Sequence, residues 1–416
     1  METDSKTCII VGASQAGVTC AFELRNEGWK GRIILIDSDP SLPYYRPPLS
    51  KSVLTGTESI AEHALKPIQL YKKENIELNT GKKVVALNRE KSSVELEDGT
   101  SLYYDKLVLA TGSRPIVPGI DGINKMKNGF TLRNQEDAQK IHRALKNSKA
   151  KRVVIIGAGF IGLEAAASLI KLGAKVTVLE KESRVLSRVT SPEMSLFFQK
   201  LHAGNGVEIY TNKSVCSFSI QNDNDLVKCT DGIEYHADIV IFGIGVTVNA
   251  ELAIAAGLQT ENGIVVNEKA LTSEENIYAI GDCSFHFNSL YNRFIRLESI
   301  QNASDQARVA ASNICGKQKM YNAIPWFWSD QFDVKMQMVG LQDGYNELIL
   351  RNTDGPESKK FSAWYFRDDK LLAVDAVNDM KAYMIGTKFI KNNIRVNKLK
   401  LANPEEEFNQ VNLSSL

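Results

Sequence analysis

One pattern occurs twice in this chain, and it leaves few folds open. Residues 7–17 read TCIIVGASQAG: an apolar run, then Gly12, Ser14 and Gly17, then a helical pattern through Leu24. RIILID follows and ends in Asp37. Residues 151–162 read KRVVIIGAGFIG, with Gly157, Gly159 and Gly162 ahead of the helical stretch LEAAASLIKLG. AKVTVLE then ends in Glu180. Each copy reads as strand, glycine turn, helix, strand, acid.

The spacing has a physical meaning. The first glycine makes a tight turn, the second lets backbone approach a pyrophosphate, and the third lets the helix pack on the strand. The helix N-terminus presents free N–H groups and the positive dipole end to the phosphates. The acid after the second strand accepts ribose hydroxyl hydrogens. The second copy meets every condition, with Glu180 23 residues after Gly157. The first has Ser14 where the second glycine belongs. The prediction is an α/β chain with two tandem dinucleotide-binding, Rossmann-like domains, and hence two dinucleotides.

The copies keep matching downstream, as EDGTSLYYDKLVLATG and TDGIEYHADIVIFGIG. Gly99 and Gly232 lie 133 residues apart, and so do Gly112 and Gly245, but Gly12 and Gly157 lie 145 apart. The first copy is therefore 12 residues longer between turn and closing strand. YYRPPLSK, residues 44–51, falls in that interval. Two adjacent prolines stiffen it and bias Arg46 away from helical geometry. A stiff insertion carrying Arg46 and Lys51 in one copy only points to function.

Glu180 favours NADH over NADPH, because a carboxylate repels a 2′-phosphate; Lys181, Arg184 and Arg188 follow closely and pull the other way. The other dinucleotide is then FAD. LVLATGSRP, residues 107–115, reads as a strand ending in the small residues Ala110, Thr111 and Gly112, where backbone can approach a ligand. NIYAIGDCS, residues 276–284, ends a strand at Gly281–Asp282, and Asp282 suits ribityl hydroxyls.

Composition closes off other classes. Among 416 residues, 50 are basic and 49 acidic, which leaves no field favouring nucleic acid or an anionic membrane. No apolar run reaches membrane-spanning length. The N-terminus is polar and runs straight into a strand, so no signal peptide is expected. Cys8, Cys20, Cys216, Cys229, Cys283 and Cys315 are scattered without metal-ligand spacing. They read as reduced thiols of a cytoplasmic protein, and any iron–sulfur centre must sit on a partner.

In this order the motifs resemble the FAD-dependent pyridine nucleotide–disulfide oxidoreductase superfamily, and within it the ferredoxin reductases of oxygenase systems. RPPLSK (46–51), LESIQNASDQAR (297–308) and PWFWSDQF (325–332) carry the closer resemblance. Disulfide reductases keep cysteine near the flavin; here the segment after Asp37 has none and offers Lys51 instead. The resemblance implies a glutathione-reductase-like architecture: an FAD domain at 1–115 and 248–324, an NAD domain inserted at 116–247, and a C-terminal α+β domain at 325–416. It implies an FAD site at Gly12, Ser14, Ala16, Gly17, Asp37, Arg46, Lys51, Val84, Ala110, Thr111, Gly112, Arg133, Asp282, Ile300 and Trp328. The implied NADH site is Gly157, Gly159, Ile161, Gly162, Glu164, Glu180 and Gly245. Lys51 would sit beside flavin N5 and pair with Glu164. Trp328 would pack between flavin and docking surface, and Arg308 would dock the partner.

The expected activity is transfer of electrons from NADH through FAD to a [2Fe–2S] ferredoxin or a rubredoxin, which feeds a cytochrome P450 or dioxygenase. The protein would be a monomer or weak homodimer. Two other readings share the glycine motifs: an NADH oxidase or monodehydroascorbate-type reductase, and an apoptosis-factor-like flavoprotein acting by binding partners or DNA. The near-zero net charge argues against the last.

Overall fold

The computed structural model describes residues 5–221, 224–352, 355 and 358–415. The chain forms two compact units. The first comprises Met1–Tyr45, Ile60–Arg114 and Thr247–Ala323; the second comprises Arg46–Ser59, Pro115–Val246 and Ile324–Leu416.

The first unit is built on a five-stranded parallel sheet, in the order Ile277–Ala279, Lys106–Leu109, Thr7–Val11, Arg32–Asp37, Ile76–Thr80. Side chains alternate across it, so Ile10, Ile33 and Leu35 join one buried cluster and Ile9, Ile34 and Ile36 the other. That two-sided burial is why these strands read as unbroken apolar runs. The helix Gln15–Glu27 ends at Gly28, which takes left-handed geometry. It packs against the helix Ile300–Ile314.

The second unit repeats the scheme. Its parallel sheet runs Glu208–Tyr210, Lys175–Leu179, Arg152–Ile156, Ile239–Phe242, Gly129–Phe130. The helix Phe160–Lys171 follows the central strand. A five-stranded antiparallel sheet follows later, in the order Trp326–Gln331, Val334–Gly340, Lys370–Val377, Phe361–Arg367, Glu347–Arg351. The helix Met380–Lys391 packs on it. The basic tract KAYMIGTKFIKNNIRVNKLK, residues 381–400, reads as helix-like in the sequence but is not one helix: it breaks after Lys391, Asn393 takes φ +49°, and a second helix spans Lys398–Ala402.

The insertion Arg46–Ser59 belongs to the second unit, whereas the sequence grouped it with the first domain. Pro47–Ser50 forms a 3-10 turn and Ser52–Thr55 a short helix closed by Gly56. Arg46 is helical (φ −82°, ψ −31°), against the pre-proline expectation. Its carbonyl accepts the Leu49 N–H at 2.9 Å, closing the turn, and this bond offsets the steric bias.

Candidate functional site

Both glycine turns are sterically obligate. Gly12 has φ +107°, and a Cβ there would meet Ala110 O at 2.2 Å; Gly157 has φ +101° and would meet Gly243 O at 2.5 Å. The third glycines are as tight: a Cβ on Gly17 would lie 1.8 Å from Gly12 O, and on Gly162 2.2 Å from Gly157 O. The middle position differs. A Cβ on Gly159 meets only Gly243 O, at 3.9 Å. The scaffold therefore tolerates a side chain there, which accounts for Ser14 in the first copy. Neither following helix has an acid in its first turn, so its positive end stays uncompensated.

The acids that end the second strands hold the turns. Asp37 Oδ2 accepts the Ala13 N–H at 2.5 Å, and Glu180 Oε2 accepts the Ala158 N–H at 2.6 Å. Sequence reasoning gave both acids a ribose role only. Their equal position in the two copies was the available sign of a scaffold role.

In the first unit, Ala16 packs against the Gly281 turn, where an added Cβ would come within 3.1 Å of the Ala16 methyl. Gln306 pins that turn, its Oε1 accepting the Gly281 N–H at 2.8 Å and the Ser284 hydroxyl at 2.7 Å. Asp282 Oδ2 accepts the Ser113 hydroxyl at 2.9 Å. Thr111 is locked to Asn249 by two hydrogen bonds, beside Ala110 and Gly112. Val84 is buried and Ile300 opens its helix. Gln15 begins the helix after the first turn; its Oε1 is buried and has no hydrogen-bond partner among the described residues. A spare acceptor at an uncompensated helix start fits a phosphate ligand that also carries hydroxyls. Arg308 is exposed and pairs with Asp305 at 2.9 Å.

The second unit holds the other residues. Lys51 Nζ lies 2.6 Å from Glu164 Oε2. Glu164 is the fifth residue of Phe160–Lys171 and only 4% exposed. A carboxylate so buried needs several donors. It has the Lys51 ammonium, the Ser50 hydroxyl at 2.5 Å on the same oxygen, and the Ser329 hydroxyl at 2.6 Å on Oε1. The turn is anchored from the same helix, because Ser168 donates to Ser50 O at 2.6 Å. Arg46 Nη1 donates to Arg133 O at 2.7 Å. Gly157, Gly159 and Gly162 open the helix, and Ile161 is exposed there. Gly245 has φ +116° and faces the Arg188 guanidinium. Trp328 is half-buried, its ring 5.6 Å from that of Trp326. Arg46, Lys51, Arg133 and Trp328, which the resemblance grouped with FAD, thus lie in the unit that carries the NADH set. Sequence reasoning missed Ser50 and Ser329; RPPLSK and PWFWSDQF contain them, but neither stands out by residue type.

Among the described residues no helix is long and apolar enough to cross a membrane, and no group of three or more His, Cys, Asp or Glu could hold a metal. All six cysteines are free thiols.

A family model described as pyridine nucleotide-disulphide oxidoreductase matches residues 6–307, and one described as reductase C-terminal matches 326–412. Putidaredoxin reductase CamA of Pseudomonas putida is 45% identical over 375 residues, covering 89% of this chain and 88% of that protein. Rhodocoxin reductase of Rhodococcus erythropolis is 39% identical, covering 92% of this chain and 88% of that protein. Among solved structures, the covalent putidaredoxin reductase–putidaredoxin complex matches with a TM-score of 0.92 at 42% identity, over 96% of each chain.

Proposed function

The chain belongs to the pyridine nucleotide-disulphide oxidoreductase family, and we propose that it passes electrons from NADH through bound FAD to a ferredoxin or rubredoxin serving a cytochrome P450 or dioxygenase. The observation that carries this reading is the ion pair between the half-buried Lys51 and the buried Glu164, with the lysine in an insertion without cysteine. The insertion itself offers no thiol for disulfide exchange. A lysine held by a carboxylate suits a different task, which is stabilising negative charge on a reduced isoalloxazine ring.

Bound FAD supplies the redox chemistry, taking two electrons as hydride and releasing them singly. The protein binds, orients and tunes. The Gly12 turn and the start of Gln15–Glu27 would hold the FAD pyrophosphate, Asp37 its adenosine ribose, and Asp282 the ribityl chain. The Gly157 turn and Glu180 would do the same for NADH. Arg184 is spent inside the fold: its guanidinium donates to Thr190 O at 2.8 Å, Ser195 Oγ at 2.6 Å and Ser187 O at 2.7 Å. It is therefore poorly placed to receive a 2′-phosphate, which supports NADH over NADPH. Arg308 would exchange its Asp305 contact for an acid on the partner. Six free thiols suit a reducing compartment, and we assign the protein to the cytoplasm.

The test is anaerobic stopped-flow, in which NADH-reduced protein is mixed with a [2Fe–2S] ferredoxin from the same genome. Rapid bleaching of the ferredoxin, far faster than reoxidation in air-saturated buffer, is expected. Rapid peroxide formation in air without transfer to the ferredoxin would overturn the reading in favour of an oxidase.

A further inference from the structure

Glu164 is held from two directions, and only one belongs to the insertion. The other comes from the strand Trp326–Gln331. Side chains alternate along a strand, and here Phe327, Ser329 and Gln331 face the helix that bears Glu164. The Phe327 ring lies 4.8 Å from that of Phe160, and Ser329 and Gln331 are 1% and 0% exposed. Trp326 and Trp328 take the opposite face.

Hydrogen-bond valence fixes the direction of the chain behind Glu164. A serine hydroxyl has one proton, and that of Ser329 goes to Glu164 Oε1 at 2.6 Å. Its lone pair accepts Gln331 Nε2 at 3.1 Å. Gln331 therefore turns its oxygen to His202 Nε2, 2.8 Å away, so that nitrogen carries the imidazole proton. His202 is fully buried and packs edge-on against Phe332. Donation runs from His202 to Gln331 to Ser329 to Glu164, and Lys51 donates to the same carboxylate from the other side. The carboxylate accepts on both oxygens, from Ser329 on Oε1 and from Lys51 and Ser50 on Oε2, and cannot rotate without breaking a bond on each.

We propose that Ser329, backed by Gln331 and His202, is a positioning residue that aims the Glu164 carboxylate at Lys51 and so sets where the lysine charge sits. The inference rests on the function proposed above for Lys51. The strand then has two assignments. Its tryptophan face is available for electron transfer to a partner, and its serine–glutamine face tunes the ion pair.

The test compares the FAD-loaded wild type with Lys51→Ala, Ser329→Ala, Ser329→Thr and Gln331→Met, reading flavin midpoint potential and single-turnover reduction by NADH. Without the Ser329 donor, Glu164 is less compensated and Lys51 less fixed, and both changes disfavour reduced flavin. Ser329→Ala should lower the potential and slow flavin reduction roughly tenfold, the size of one hydrogen bond to a charged group. NADH affinity should stay within about twofold, because the loss is in the reacting state rather than in binding. Ser329→Thr keeps the hydroxyl and should restore both readouts. Gln331→Met leaves the serine in place and should shift the potential the same way by less. If Lys51→Ala lowers the potential while Ser329→Ala matches wild type, the positioning role is overturned and the proposed function stands. If Lys51→Ala changes nothing, the role of Lys51 fails and this inference fails with it. Equal loss in Ser329→Ala and Ser329→Thr would reduce Ser329 to a packing residue.

Discussion

The carboxylate of Glu180 accepts the Ala158 N–H at 2.6 Å and the Glu182 N–H at 2.8 Å. A test of coenzyme choice at this position therefore has to separate charge from scaffold. Glu180→Ala removes the acceptor of the Ala158 N–H in the glycine turn and that of the Glu182 N–H, and should cost about 1–3 kcal/mol, visible in urea denaturation. Glu180→Gln keeps an oxygen for Ala158 and drops the charge. It gives up only the Glu182 N–H acceptor, so it should lose less stability than Glu180→Ala, and it should relax the NADH preference over NADPH by about tenfold in kcat/KM, since the lost element is a repulsive one. An unchanged ratio in Glu180→Gln would remove Glu180 from coenzyme selection. Asp37 makes the matching bond in the first copy, so the same separation applies to its ribose role.

At the scale of elements, the C-terminal segment depends on one arginine. Arg351 ends the strand Glu347–Arg351 and is 3% exposed. Its Nη1 donates to Lys400, Leu401 and Asn403 carbonyls, and its Nη2 to those of Pro404 and Glu406, at 2.7–3.3 Å. The Phe408 ring lies 4.6 Å from the guanidinium carbon. The segment thus wraps around a cation, satisfying carbonyls that the short helix Lys398–Ala402 leaves open. Burial lowers the Arg351 pKa, and no lysine can match a planar five-donor fork. Arg351→Lys should destabilise the protein by about 2–3 kcal/mol and speed amide exchange across 398–413 before other strands. Uniform exchange would show that the segment is held by its apolar contacts alone. The sequence had nothing to say here, because a side chain that binds backbone carbonyls has no partner motif. It also missed the break in 381–400, where Asn393 accepts left-handed geometry at little cost. Lys370–Val377 escaped notice as well: an unbroken apolar run of its kind has no period to separate strand from helix. The elements that were legible, the two glycine turns and their acids, are those whose function dictates residue type at fixed spacing. Lys51 stood out as a cation in a cysteine-free insertion, but its pairing with Glu164 came only from the family resemblance, and Ser50, Ser329, Gln331 and His202 gather around Glu164 only through folding.

At the scale of the whole molecule, each unit encloses one neutral histidine. Burial pushes the pKa of His202 in the second unit down to about 4, and does the same for His286 in the first. Their networks fix the tautomers. Gln331 makes His202 Nε2 a donor, while Gln306 has spent its oxygen on Gly281 and Ser284 and so donates to His286 Nδ1 at 3.2 Å. A histidine with a lowered folded-state pKa contributes stability that is present above its unfolded value near 6.5 and is lost as pH falls through 4. Each displacement is worth about 3 kcal/mol at about 1.4 kcal/mol per pH unit. Asp375 works in the opposite direction. It is fully enclosed, accepts the Thr190 and Tyr365 hydroxyls at 2.6 Å each, and desolvation raises its pKa to about 6. A carboxyl raised in the folded state favours folding below about 4 and loses that contribution as pH rises through 6. Two histidines against one carboxyl leave a net loss of stability on acidification from pH 6.5 to 4. The expected result is a urea midpoint that falls across that window in the FAD-loaded protein, with both units affected. In the double variant His202→Gln, His286→Asn each replacement amide can keep the neutral hydrogen bond without titrating, and the Asp375 slope should then emerge with the opposite sign. Asp375→Asn should remove that residual slope, since an amide oxygen still accepts both hydroxyls. A double variant that loses stability between pH 6.5 and 4 as steeply as the wild type would assign the acid sensitivity to surface carboxylates.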